Sequence, residues 1–147
     1  MTMTGEHPLD KKVRERAEAA KRHAAAADHQ KRQADESRAR TEAAWPQDRL
    51  ALDAAIKVWN ERYKKHNISR QMEYRANPQL SGAVHRGEVV VMDSSTASYR
   101  SLGVVVTSQG IVSVSLNGLA PENGSVGQMN IASWNGYLDR LDDLLGP

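Results

Sequence analysis

Val84–Leu116, VHRGEVVVMDSSTASYRSLGVVVTSQGIVSVSL, decides the fold. Three β-branched runs lie in it: Glu88–Met92, Leu102–Thr107 and Ile111–Leu116. Turn-forming residues separate them, first Asp93-Ser94-Ser95-Thr96 and then Ser108-Gln109-Gly110. Val and Ile carry two heavy atoms on Cβ, which stiffens χ1 and suits a pleated, half-buried surface. Val112, Val114 and Leu116 alternate with Ser113 and Ser115, so that run has one wet face. Leu102–Val106 is apolar on both faces and is expected at the centre of a sheet. Such short links between successive runs specify an antiparallel meander.

On the C-terminal side, Asn117-Gly118 and Asn123-Gly124 frame a loop containing Pro121. Gln128–Ala132 is expected to be a last strand. Tyr137–Leu145 is expected to be a short helix, because Leu138, Leu141, Leu144 and Leu145 make an apolar stripe and Gly146-Pro147 is a stop. On the N-terminal side, Ile68, Met72, Tyr74 and Ala76 alternate with polar residues, which favours a strand within 67–76. Asn77-Pro78 then breaks it and Ser81-Gly82 makes a turn.

The first half of the chain has a helical period. Pro8 suits a first helical residue, since its missing N–H is free at that position anyway. From Leu9 to Ala44 there is no Gly or Pro, and strong helix formers dominate. Val13, Ala17, Ala20, Ala24 and Ala27 follow the four-three spacing of a coiled-coil seam, after which Lys31, Ala34, Arg38 and Thr41 occupy the same positions. A residue before proline avoids the α region, so the first helix is expected to end near Ala44, before Trp45-Pro46. Pro46 then opens a second helix to His66, with the stripe Leu52, Ile56, Trp59 and Tyr63 and with Ala55 beside it.

These readings give an α+β protein. A long N-terminal helix or helical hairpin, spanning residues 1–66, precedes a small antiparallel β-meander or SH3-like barrel with a short C-terminal helix, residues 67–147. An alanine seam buries little area, so a coiled coil with a partner chain is expected through residues 9–44, giving a homo-oligomer. The segment MTMTGEHPLDKK has no apolar core of a leader, and no run of about 18 apolar residues spans a membrane. No membrane association and a cytoplasmic location are therefore expected.

The 147 residues hold no Cys and no Phe, which excludes disulfides, thiolate metal sites and cysteine nucleophiles. The net charge of +2 conceals an asymmetry. Residues 1–75 carry 17 Lys/Arg against 12 Asp/Glu, whereas residues 76–147 carry 3 against 6. A basic arm beside a small neutral domain points to a polyanion, and a solvated helix face is the alternative.

The pattern Gly87-Glu88-x-Val90-x-Met92, a turn, Tyr99-Arg100-x-x-Gly103-Val104-Val105, then Val112-x-Val114-x-Leu116 resembles the KOW-type motif of SH3-like small barrels. That family occurs in ribosomal proteins and transcription elongation factors, so the resemblance implies a small barrel and an RNA or DNA partner. A glycine at a strongly curved strand position has a plain reason, since it has no Cβ to clash.

Arg62, Lys64, Lys65, Arg70 and Arg75 place five cations within fourteen residues, with Tyr63 and Tyr74 between them. Arg86, Tyr99 and Arg100 flank the strand entries and are expected to meet on one rim, an aromatic for stacking with guanidiniums for phosphates. These eight residues are the candidate nucleic-acid or anion site. The five histidines make no metal-ligand spacing, and no Walker loop, dinucleotide fingerprint or nucleophile elbow is present. No catalytic residue, metal or cofactor is expected. The leading expectation is a non-enzymatic RNA- or DNA-binding protein. The alternative is an oligomeric interaction protein, of a kind that would suit a phage or mobile element, that binds a protein partner or sequesters a small anion.

Overall fold

The structure is a computed structural model that describes residues 6–77 and 82–147. Residues 78–81, which hold part of the expected Asn77-Pro78 break and Ser81-Gly82 turn, lie outside the described residues, as do residues 1–5. The elements are α1 (Pro8–Lys65), β1 (Arg70–Ala76), β2 (His85–Asp93), β3 (Ser98–Val106), β4 (Ile111–Leu116), β5 (Glu122–Ser125) and α2 (Ile131–Asp143). The protein is α+β: a long N-terminal helix, a five-stranded antiparallel sheet and a short C-terminal helix. The strands lie in the sheet in chain order, β1-β2-β3-β4-β5, so it is an open meander and β3 is central.

Two compact units divide the chain, Met1–Glu36 and Ser37–Pro147. The division falls inside α1, whereas residue spacing places it at 66/67. The reason is burial. Within residues 37–65, Trp45, Leu52, Ala55, Ile56 and Tyr63 join Met72, Val89, Val91, Leu102, Val104, Val112, Trp134, Leu138 and Leu141 in one core. These side chains are covered because one face of the meander is apolar, while Trp59 of the expected stripe is half-buried at the edge of the core. Val89 and Val91 on β2, Leu102, Val104 and Val106 on β3, and Val112 and Val114 on β4 face the core, and on β3 and β4 they alternate with half-buried or exposed neighbours. The opposite face is more open and rich in Ser and Gly, with half-exposed Ser101, Gly103, Ser113 and Ser115 on β3 and β4, and Val90 on β2 is the buried residue among them.

The expected helix end at Ala44 is corrected. α1 runs through Pro46 without interruption. Proline removes one backbone donor, but the residues around it are held from outside the helix. Trp45 is buried, its ring 6.4 Å from Trp134 in an edge-on contact and 5.1 Å from His85. Trp134 Nε1 donates to the carbonyl of Asp48, just past the proline. Tertiary contacts outweigh a local helix-breaking preference, a term of about 3 kcal/mol. α1 ends where Asn67 takes a left-handed φ of 55° and Ile68 N–H donates back to the Tyr63 carbonyl. That closure turns the chain directly into β1.

Two C-terminal expectations are corrected as well. The last strand is β5, inside the expected loop, and residues 128–132 are not a strand. Glu122–Ser125 has weak β propensity, yet β4 offers an unpaired edge and Val112 faces Gly124 across it. α2 starts at Ile131 rather than Tyr137, because Asn130 Oδ1 accepts the Ser133 N–H and caps the helix.

Candidate interaction surfaces

Residues 8–36 form a helical segment about 43 Å long at 1.5 Å per residue. Nothing in it is buried, and all but Ala19 is exposed, including Leu9 at 58% and Val13 at 55%. Its eight Lys/Arg and six Asp/Glu nearly cancel, so it is a mixed-charge helix rather than a polybasic one. Its ordered apolar feature is the seam Val13, Ala17, Ala20, Ala24 and Ala27. A helix that is polar on most faces and leaves a seam open is built to take a partner or to stand in solvent on ion pairs.

The eight candidate cation and aromatic positions do not form one site. Arg70 is unavailable. Its guanidinium lies within 3.0 Å of Asp93 and 2.9 Å of Asp142, and it donates to the Gly146 carbonyl at 2.6 Å. Tyr63 donates its hydroxyl to Asp142 at 2.6 Å, so that with the Arg70 ion pairs to Asp93 and Asp142 the network ties α1, β1, β2 and α2 together. Burial, reinforced by Asp142, pushes the Tyr63 phenol well above its ordinary range. The Ser95 hydroxyl and Arg70 hold Asp93 below the usual carboxylate range. The Asp142-Asp143 pair is thus half structural: Asp142 is an anchor, and Asp143 is exposed.

Arg75 pairs with Glu73 on the open face, and Arg86 lies near it, since Arg75 faces Glu88 and Asn77 N–H donates to the Arg86 carbonyl. Tyr99 is 66% exposed at the other end of the sheet, opposite Met92, and Arg100 donates to the Tyr99 carbonyl. Arg86 faces Val105. Six residue steps, about 20 Å along a strand, therefore separate the Arg86 and Tyr99 rows. The expected meeting of Arg86 with Tyr99 and Arg100 on one rim is corrected by this register. Arg62, Lys64 and Lys65 remain exposed at the last turn of α1.

A second cluster has no local signal in the sequence. The Tyr74 hydroxyl hydrogen-bonds His85 Nε2, and their rings stack with centroids 5.8 Å apart. Arg49 lies 3.8 Å over the Tyr74 ring and pairs with Asp53 at 3.0 Å. A Cβ at Gly87 would overlap the Tyr74 phenol, which accounts for that glycine on β2. Burial, and then Arg49, lowers the His85 pKa, while burial pushes Tyr74 up to about 12. Only their strand register, Tyr74 opposite Val89 and His85 past Gly87, places these residues side by side.

The β1 edge is closed by Asn60, whose amide donates to the Met72 carbonyl and accepts the Met72 N–H. An open cleft of about 540 Å³ lies beside the β2–β3 turn, lined by Ser69, Gln71, Met92, Ala97 and Tyr99 among others. Among the described residues no group of three or more His, Asp or Glu is placed to hold a metal ion. No helix of the described residues is long and apolar enough to cross a membrane. No known protein family, no curated protein and no solved structure matches this chain.

Proposed function

We propose that this chain is a non-enzymatic interaction protein that self-associates through residues 8–36. One observation carries this reading. A helical segment of about eight turns keeps its seam of Val13 and alanines wholly exposed, while the next segment of the same helix is buried to the level of a domain core. Among the described residues of the unit that carries it the seam has no counterpart, and a second helix of the same composition supplies one.

The seam is made of small side chains, so the assembly is weak and reversible. Sedimentation of the full chain at tens of micromolar tests the reading. A concentration-dependent assembly is expected, and a variant with Ala17→Glu and Ala24→Glu sediments as a monomer with unchanged helical circular dichroism. Glutamate is a good helix former, so this variant removes the seam and not the helix. A wild-type protein that stays monomeric sinks the proposal.

The exposed Arg62, Lys64 and Lys65 favour a second reading, contact with RNA or DNA phosphates. When these three become Ala, the slope of log affinity against log salt is expected to shrink by about 0.9 for each phosphate they neutralise. An unchanged slope, or no binding, removes it. Arg70 has no part in this reading, because its charge is already matched by Asp93 and Asp142.

A further inference from the structure

We infer that two copies of residues 8–36 pair antiparallel, in a register fixed by four charges along one flank of the seam. This rests on the self-association reading and adds orientation and register to it. Arg14, Lys21, Asp28 and Asp35 each follow a seam position by one residue and recur every seven residues, so they form one line along the helix. All four are exposed. The line is basic in its first half and acidic in its second.

An antiparallel partner reads that line in reverse. Arg14 then meets Asp35 of the second copy and Lys21 meets Asp28, and the two-fold axis repeats each pair. All four contacts are attractive. The seam falls into step in the same register: Ala17 faces Ala34, Ala24 faces Ala27, and Lys31 faces Ala20. Alanine against alanine brings helix axes to the short end of the 8–10 Å range. The Lys31 stem lies over the small Ala20 and its ammonium reaches solvent. Sliding the partner by one heptad either way sets Lys21 against Lys21 or Asp28 against Asp28.

A parallel pair fares worse. There the flank residue Arg16 lies beside Lys21 of the second copy, and symmetry repeats that repulsion. The competing intrachain contact, Arg14 with Glu6 at 2.8 Å, is an exposed ion pair and is worth little.

The chain has no cysteine, so engineered thiols report register without background. The full-length variants Ala17→Cys and Ala34→Cys are mixed and oxidised in a glutathione buffer. The expected product is the mixed disulfide. In the antiparallel register two copies of residue 17 lie about 25 Å apart along the pair, too far to join. Efficient Ala17→Cys self-linkage in a wild-type-like dimer overturns the antiparallel register while leaving self-association intact. A monomeric wild-type protein overturns both.

Charge variants give an independent readout with opposite signs. Lys21→Asp weakens an antiparallel dimer about tenfold and tightens a parallel one. Adding Asp28→Lys to it restores the antiparallel affinity to within about threefold. A Lys21→Asp variant that dimerises more tightly than wild type overturns the inference.

Discussion

The two halves of α1 share one spacing and meet opposite fates. The four-three steps that begin at Val13, Ala17 and Ala20 continue unbroken to Thr41, Trp45, Asp48, Leu52 and Ala55. In the second half those positions are buried, with Leu52 and Ala55 fully enclosed. In the first half they are exposed. Periodicity alone specifies that a helix has a face. Side-chain volume, and an apolar sheet made by the same chain, decide whether that face is covered within the monomer. Trp, Leu and Ile fill the space over the meander, whereas alanine leaves only a shallow stripe.

The largest effect expected from this contrast is on stability. Leu52→Ala opens a cavity in the common core and costs about 3–5 kcal/mol in urea unfolding. Val13→Ala, at a seam position of the exposed half, changes it by less than about 0.5 kcal/mol. Equal losses for the two substitutions would break the comparison. The next effect concerns the cations. Arg70→Ala leaves Asp93 and Asp142 facing each other without their shared partner, so its urea midpoint falls well below that of Lys64→Ala or Lys65→Ala. A wild-type midpoint for Arg70→Ala would contradict a structural role for this network.

Pro46→Ala sharpens the comparison from the other direction. It returns a backbone donor to a helix interior at an exposed position, and the fold is expected to gain about 2 kcal/mol. A loss would mean that the proline ring itself sets the seat of Trp45. The smallest effect is that of pH. The His85 pKa is lowered in the folded protein by burial and by Arg49, so the unfolded chain takes up the proton first as the solution is acidified. Stability contributed by neutral His85 is complete above about pH 6.5 and is lost as pH falls below it. His85→Gln flattens that part of the pH–stability curve, which urea midpoints between pH 5 and pH 7 would reveal.

Much of the fold was legible because its signals are local. β4 is the alternating run Ile111–Leu116 to the residue, and the run Leu102–Val106 lies in β3 at the centre of the sheet, as expected, although β3 begins earlier, at Ser98. The stripe Leu52, Ile56 and Tyr63 reported a buried helix face. The early start of α2 is a local cap, Asn130 with Ser133, that the leucine spacing does not report; in the other failures a distant partner overrides a local preference. Trp134 and His85 hold Trp45 helical in front of Pro46. The free edge of β4 recruits the poor strand former Glu122–Ser125. The cation cluster within 62–75 is continuous in sequence, but a strand places Arg70 and Arg75 at opposite ends, and Arg70 finds two carboxylates that lie 23 and 72 residues away. The seam of 8–36 was legible from spacing. Its charged flank gains meaning only because the segment stays exposed.

Hydrogen exchange followed by mass spectrometry, at two protein concentrations, tests the contrast between the halves most directly. Peptides from 37–65 should exchange slowly and independently of concentration, because the monomer's own core protects them. Peptides from 8–36 should exchange quickly when dilute and gain protection as the protein is concentrated. Exchange in 8–36 that ignores concentration, or that is as slow as 37–65 in dilute solution, would contradict the account.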